Sequence, residues 1–286
     1  MILGGSRDFQ IPVMINHPRL YPWGPRTLYL GPAQNLSPHR NAVACLAIGL
    51  EAGFEVSDDP EDVAASYRPC RSVLVHPNTL HHFRGTTGLM AFLYLDPQSR
   101  DLDRLRQLMR IKDMRASFDL ANEDRLADSL LALWRSEADW PETRRVLGRE
   151  FLGVSAGVDD RIKSVLGRMS ADPAGRLSAG ELAQAVGLSE SRFLHLFSET
   201  VGLPFRRYRL WCSMGAALRS VTQGASLTTA ALDAGFSSSA HFSTAFREMF
   251  GMEPSRLSRA GIKMRKRASD SARSVRPVRR SDPDAD

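Results

Sequence analysis

Cysteine is scarce in this sequence, and the three that occur are far apart. Cys45, Cys70 and Cys212 form no CxxC pair, and their number is odd. This pattern argues against a disulfide framework and against a zinc site built from four thiolates. We therefore expect reduced thiols in a cytoplasmic protein, with no metal and no cofactor.

Long apolar runs are also missing. No stretch of about 18 apolar residues occurs, so no membrane span is expected. Residues Met1–Asn16 lack the basic start and the apolar stretch of a secretory signal. The chain has 286 residues, of which 43% are hydrophobic and 24% are charged. That length and composition suit two globular domains, each with its own core.

The net charge of +6 is unevenly distributed along the chain. Residues 1–158 carry 18 basic and 19 acidic side chains, whereas residues 159–286 carry 20 and 13. A near-neutral half beside a basic half indicates that the second half meets a polyanion.

The first half contains short apolar runs separated by turn residues. Runs at Arg26–Leu30, Val43–Gly49, Ser72–His76 and Leu89–Leu95 are bounded by Pro, Gly, Asn and Asp. Such runs predict the strands of a small antiparallel barrel or sandwich within residues 20–96.

From Asp101 onward, the apolar residues recur with the spacing of a helix. Two helices are predicted from apolar stripes made of Leu102, Leu105, Leu108 and Met109, and of Leu126, Leu130, Leu133 and Trp134. A third is predicted over Glu142–Leu152. Because an apolar stripe does not specify its partner surface, these stripes fit packing on their own domain and a dimer interface equally well.

The composition divides the chain into three parts. The small residues of Gly153–Gly157 predict a linker, so we expect domains at residues 1–155 and 156–261. Residues 262–286 are rich in Arg, Ser and Pro and are expected to be a disordered basic tail. The expected fold class is α+β, with a β-barrel and helices followed by an all-helical domain.

A loose repeat lies in the helical domain. Ala183 precedes Gly187 by four residues, and Ala231 precedes Gly235 by four. Serines that can cap a second helix follow each glycine, and a phenylalanine pair four residues apart follows those, with Phe193 and Phe197 in one copy and Phe242 and Phe246 in the other. A short helix, a glycine turn and a capped second helix form the helix-turn-helix plan.

The two copies are joined by one predicted helix from Pro204 to about Gln223. Leu210, Met214, Ala217, Leu218 and Val221 form its apolar stripe. Twenty residues span roughly 30 Å at about 1.5 Å each, close to the roughly 34 Å of one turn of B-DNA. This length allows the second helix of each copy to enter one of two successive major grooves.

These motifs resemble the AraC/XylS family of bacterial regulators. The resemblance covers about 100 residues and is carried by A-x-x-x-G-F-S from Ala231 and H-F-S-x-x-F-R-x-x-F-G-x-x-P from His241. It implies a seven-helix domain whose third and sixth helices, Ser189–Val201 and Ser239–Phe250, enter the major groove. The implied function is sequence-specific regulation of transcription without enzymatic activity, with double-stranded DNA and RNA polymerase as partners.

The family's base-facing positions can be transferred to this sequence one by one. They fall on Ser191, Arg192, Leu194 and His195 in the first reading helix, and on Ser239, Ala240, Ser243 and Thr244 in the second. Arg and His can donate to guanine, and Leu and Ala can touch a thymine methyl. Family members often carry arginine at the position of Thr244. Phosphate contacts are expected from Arg206, Arg207, Arg209 and Arg247.

The segments Leu36–Val56 and Ser72–Pro97 resemble the cupin-like sensor domains of many such regulators. This implies a small-molecule effector bound within residues 1–155, and a homodimer is compatible with the helices that follow. Since small barrels hold ligands at their mouths, His39, Arg40 and His81 are the candidate effector contacts.

Three other classes of protein fit the sequence less well. A metal-dependent cupin enzyme would use His39, His76, His81 and His82, but His39 lacks the second histidine of an HxH pair. A DNA-repair alkyl transferase would need a cysteine cluster that the sequence lacks. A purely architectural DNA-binding protein would have no use for the N-terminal domain.

Overall fold

The computed structural model describes residues 18–23, 26–61, 66–95, 101–136, 142, 143, 145, 159–172, 174, 177–259 and 263–264. The predicted linker lies outside these residues, as do most of the predicted helix Glu142–Leu152 and of the basic tail. No helix of the described part is long and apolar enough to cross a membrane.

The first part of the chain is rich in strands. They are β1 Arg19–Trp23, β2 Arg26–Pro32, β3 His39–Arg40, β4 Ala44–Gly49, β5 Phe54–Ser57, β6 Arg68–Cys70, β7 Ser72–Val75, β8 Leu80–Arg84, β9 Leu89–Leu95, β10 Met109–Lys112 and β11 Ala116–Leu120. A last short strand, β12 Lys263–Met264, pairs in parallel with β1 and comes from the predicted tail.

These strands form two sheets. The larger has the order β10-β11-β7-β4-β9-β2-β1-β12, and the smaller has the order β3-β8-β5-β6. All pairs except β1–β12 are antiparallel. The described strands do not close into a barrel, so the N-terminal region is a sheet-rich, open variant of the expected architecture. Together with the helical second half, it confirms the α+β class.

Both faces of the larger sheet are covered. Along β4, Leu46 and Ile48 pack on the helical side, whereas Cys45 and Ala47 pack toward the smaller sheet. This alternation follows from the period of two in a strand. The sheet is therefore a middle layer, which explains why every residue of β4 is buried.

Nine helices are described. They are α1 Asp101–Leu108, α2 Glu123–Arg135, α3 Asp160–Ala171, α4 Ala179–Ala185, α5 Glu190–Val201, α6 Phe205–Thr222, α7 Leu227–Asp233, α8 Ser239–Phe250 and α9 Pro254–Arg259. Seven of them, α3 to α9, make up the second half. The connecting helix α6 begins after its N-cap Pro204, close to the predicted bounds.

The apolar stripes of α1 and α2 pack on their own sheet. Leu105, Leu126, Leu130 and Trp134 are buried in one cluster with strand residues such as Leu46. The sequence left two partners open for these stripes, their own domain and a dimer interface. In the structure the stripes pack on the sheet of their own domain. The first predicted helix is one residue too long, because Met109 begins β10 and the helix ends at Leu108.

Candidate DNA interface and effector groove

The first helix-turn-helix unit consists of α4, a tight turn and α5. Ser178 caps α4 in a reciprocal capping box with Glu181. Gly187 follows with a φ of 69°, a left-handed conformation that favours glycine. Ser189 then caps α5 by accepting from the backbone N–H of Arg192 at 3.4 Å. The predicted turn chemistry is confirmed at each step.

The second unit repeats this arrangement with α7 and α8. Ser226 caps α7, Gly235 has a φ of 87°, and Ser238 caps α8 by accepting from the backbone N–H of His241 at 3.0 Å. Both reading helices end at a glycine in the left-handed region, Gly202 with a φ of 73° and Gly251 with a φ of 69°. The loose sequence repeat therefore corresponds to a structural repeat.

Each unit has its own aromatic core. Phe193 and Phe197 are fully buried, with ring centroids 5.7 Å apart. Phe242 and Phe246 are equally buried, with centroids 5.8 Å apart. Because each pair fixes the inner face of its reading helix, the opposite face is left to solvent.

That outer face carries the predicted base contacts of α5. Ser191, Arg192, Leu194 and His195 are all exposed. The Nε2 atom of His195 lies 3.2 Å from the Oε1 atom of Glu199 on the same helix. The outer face of α5 therefore presents the Arg192 guanidinium and the His195 imidazole as possible hydrogen-bond donors.

The outer face of α8 is less rich in donors. Ala240 and Thr244 are exposed, whereas Ser239 and Ser243 are half-buried. The Ser243 hydroxyl donates to the backbone oxygen of Ser239 at 2.8 Å, so its proton is engaged within the helix. The second reading face therefore offers small and mostly neutral side chains.

The four predicted phosphate contacts have different surroundings. Arg206 is exposed at the start of α6. Arg207 donates to the backbone oxygen of Arg40 at 2.7 Å, and burial together with Arg40 lowers its pKa. Arg209 stacks over Phe205 and donates to the backbone oxygen of Leu177. Arg247 pairs with Glu253 at 2.6 Å.

The sheet domain contacts the connecting helix and the second helix-turn-helix unit through the segment Asn35–Arg40, which we call the contact loop. The Ser37 N–H donates to the Gly251 carbonyl at 2.8 Å, and the Arg256 guanidinium donates to the Asn35 carbonyl at 2.9 Å. With the bond from Arg207 to Arg40, this loop touches the first turn of α6 and the far end of α8. It thereby joins the connecting helix to the end of the second reading helix.

The contact loop includes His39, which lies beside the buried His81. They pair across β3 and β8, with ring centroids 4.2 Å apart, and both are buried. Burial lowers the pKa of His39 to about 4 and that of His81 well below its usual value. Each ring places its Nδ1 atom within hydrogen-bond distance of a backbone carbonyl, and the side-chain nitrogen of Asn41 lies 3.3 Å from Nε2 of His81. Both rings are therefore neutral at pH 7.

An apolar groove lies elsewhere, between the larger sheet and the helices. Its volume is about 690 Å³, including the part open to solvent. The sheet domain contributes Leu20, Thr27, Tyr29, Gln34, Leu36, Phe92 and Tyr94. The helical domain contributes Trp211, Met214, Gly215, Leu218, Phe246, Phe250 and Met252. None of His39, Arg40 and His81 lines this groove.

The sequence missed the groove, although one signal pointed to it. Met214 and Leu218 belong to the predicted apolar stripe of the connecting helix, and both face the groove. Most of this stripe packs in the core of the second unit, where Met214 and Ala217 are fully buried. The stripe alone therefore did not distinguish this core from the sheet that forms the other wall of the groove.

Metal and thiol chemistry find little support among the described residues. No group of three His, Cys, Asp or Glu side chains there could hold a metal ion. Cys45 and Cys70 are buried, and burial raises the pKa of both thiols, that of Cys70 to about 12. Both are therefore protonated at neutral pH.

Comparison with known proteins agrees with this architecture. A family model described as a helix-turn-helix domain matches residues 182–260. The fold is similar to that of ToxT from Vibrio cholerae, with a TM-score of 0.52 and 11% identity over 82% of this chain and 98% of ToxT. ToxT bound to (E)-4-(8-methylnaphthalen-1-yl)but-3-enoic acid gives the same TM-score at 10% identity, over 83% of this chain and 100% of that one.

A third structure, an AraC-type transcriptional regulator from Chromobacterium violaceum, is 28% identical over 36% of this chain and 92% of its own, with a TM-score of 0.34. No curated protein matches the sequence. The duplicated helix-turn-helix unit behind a sheet domain defines a DNA-binding transcription regulator. Its DNA-binding domain, which includes residues 182–260, is of the AraC type.

Proposed function

We propose that this regulator reads DNA chiefly with α5 and more weakly with α8. The observation that carries the proposal is the shared geometry of the two units, each with a buried phenylalanine pair on one side and the predicted contacts on the other. In the first unit the contacts are Ser191, Arg192, Leu194 and His195. In the second they are Ser239, Ala240, Ser243 and Thr244.

The inequality of the two units follows from their side chains. Arg192 and His195 can each donate to the guanine acceptors of the major groove. Ala240 can only touch a methyl group, and the Ser243 hydroxyl already donates within the helix. The first half-site of the operator should therefore be better defined than the second.

Backbone contacts complete the proposed interface. Arg206 is the strongest candidate among the four arginines, because it is exposed and free of the contacts that hold the others. Arg247 and Arg209 would have to exchange a protein partner for a phosphate. Arg207 is better suited to the domain contact that it makes with Arg40.

The effector site of this proposal is the apolar groove rather than the histidine pair. It is walled mostly by aliphatic and aromatic side chains with a few polar groups, as pockets that hold small ligands are. One ToxT structure holds an arylbutenoic acid, so a protein of this fold binds a small molecule that carries a large apolar part. A ligand in a groove walled by both domains can alter how they fit together, as an effector must.

The contact loop is the proposed route of the signal. Phe250 and Met252 line the groove, and Gly251 between them bonds to Ser37 of the loop. A ligand that moves either side chain must disturb this bond.

The remaining parts of the proposal follow from the composition of the chain and from the family resemblance. Residues 1–155 would form the sensor domain, 156–261 the DNA-binding domain and 262–286 a basic tail. The chain would act in the cytoplasm on RNA polymerase, with a homodimer as one assembly and without catalytic activity.

The deciding experiment is DNA selection with the full chain, repeated with Arg192→Ala and Thr244→Ala. We expect a bipartite motif whose first half loses a guanine preference in Arg192→Ala, while Thr244→Ala changes little. A motif that Arg192→Ala leaves unchanged would show that Arg192 does not read bases, and a single, undivided motif would show that only one of the two helices does.

A further inference from the structure

The walls of the groove carry no charge. Among its described lining residues there is no Lys, Arg or His, and no Asp or Glu either. The polar groups are the side chains of Thr27, Tyr29 and Gln34 and the Tyr94 hydroxyl on the sheet side, and the Trp211 indole N–H on the helical side. The rest of the lining is aliphatic, aromatic or glycine, and both Tyr94 and Trp211 contribute ring surface.

The polar groups present are neutral and partly engaged. The Tyr29 hydroxyl donates to the backbone oxygen of Pro32 at 2.8 Å and accepts from the Gln34 amide nitrogen at 3.2 Å. Burial raises the pKa of Tyr29 to about 12, so the phenol remains protonated. The side-chain oxygen of half-exposed Gln34 is an acceptor available to a ligand hydroxyl.

We infer that the groove selects an uncharged, largely apolar ligand with a single hydroxyl, such as a medium-chain or aromatic alcohol, and rejects the matching carboxylate. The inference rests on the proposed use of this groove as the effector site. Its physical basis is that an ionised carboxylate loses its hydration on entering an apolar site and finds no cation there to replace it. A hydroxyl can be satisfied by one neutral acceptor.

The test compares 1-octanol with octanoate, which differ only in the head group, by calorimetry on the full chain at pH 8. We expect octanol to bind at least about 100-fold more tightly, given the desolvation of an unpaired charge. Octanoate should gain about tenfold in apparent affinity for each unit that the pH falls toward its own pKa, because only the neutral acid enters. Octanol affinity should not follow pH in this way.

Two variants locate the site and test the role of charge. Leu218→Trp fills the groove and should abolish octanol binding. Gln34→Lys places a cation at the rim and should raise octanoate affinity at pH 8 by about tenfold, whereas the uncharged Gln34→Met should not.

The outcomes separate the two claims. Octanoate binding to the unchanged protein as tightly as octanol at pH 8 overturns the neutral-ligand inference and leaves the groove as the effector site. Binding of neither ligand, or octanol binding that survives Leu218→Trp, overturns the groove assignment itself. Octanol binding that is lost in Leu218→Trp, with octanoate excluded, supports both.

Discussion

Replacing Gly251 by alanine tests whether the contact loop rests on the second helix-turn-helix unit in solution. Gly251 ends α8 with a φ of 69°, and Gly202 ends α5 with a φ of 73°. A β-carbon on Gly251 would lie 2.5 Å from the Ser37 carbonyl oxygen and 2.6 Å from Nδ1 of His39. A β-carbon on Gly202 would meet no atom within 4 Å. Gly202→Ala is therefore a matched control.

The expected magnitude follows from this difference. Both alanines have a left-handed conformation, at a cost of about 1–2 kcal/mol each. Only Gly251→Ala also forces a methyl group against the Ser37 carbonyl oxygen and the buried ring of His39. Such overpacking costs about 1–3 kcal/mol. Gly251→Ala should thus lower the free energy of unfolding by about 1–3 kcal/mol more than Gly202→Ala, unless the loop detaches and relieves the clash.

Two measurements cover both responses. Urea unfolding of the full chain reports the loss of stability, and amide hydrogen exchange at Ser37 reports detachment of the loop. The Ser37 N–H donates to Gly251, so its exchange should accelerate in Gly251→Ala and stay unchanged in Gly202→Ala. Equal destabilisation by both variants, with Ser37 exchange unaltered, would refute the contact.

Three further outcomes are expected. Arg192→Ala should reduce discrimination at one base pair by about 1–3 kcal/mol in binding titrations on matched and mismatched operators. Arg206→Ala should instead weaken all sequences alike and lower the salt slope by about one in a titration of affinity against salt, and a sequence-dependent loss would contradict its phosphate role. The pKa of His39 falls from 6.5 to about 4 on burial, and that of its neighbour His81 is also lowered. Because the unfolded chain takes up the protons first, His39 should remove about 3 kcal/mol of stability between pH 6.5 and 4, and His39→Gln should make this slope shallower in urea unfolding.

The local parts of the structure could be predicted because their causes are local. Strand β9 spans Leu89–Leu95 as its apolar run indicates, and Gly187 and Gly235 adopt the left-handed turns that their positions demand. Strands β5 and β6 were missed because Phe54–Ser57 and Arg68–Cys70 are short and interrupted by polar residues or proline. Their strand geometry comes from pairing with each other.

The candidate site could be predicted only in part for the same reason. The exposed face of α5 follows from the spacing of Phe193 and Phe197 within one helix. The contact loop depends on pairs such as Arg256 and Asn35, which lie 221 residues apart. Nothing in either segment alone identifies the other. The sequence therefore predicted His39 as a pocket residue, whereas it lies in the loop that makes the domain contact.

Groove occupancy and DNA binding should be coupled, because they share one short stretch of chain. Phe250 and Met252 line the groove, while Gly251 between them is held by the contact loop that also binds Arg207 at the start of α6. A ligand that shifts this stretch changes the relative position of the two reading helices. Linkage then requires that operator DNA alter ligand affinity by the same factor as the ligand alters DNA affinity, about 5–150-fold for a coupling of 1–3 kcal/mol. Measuring 1-octanol affinity with and without operator DNA checks this, and identical affinities in the two conditions would show that the groove does not control DNA binding.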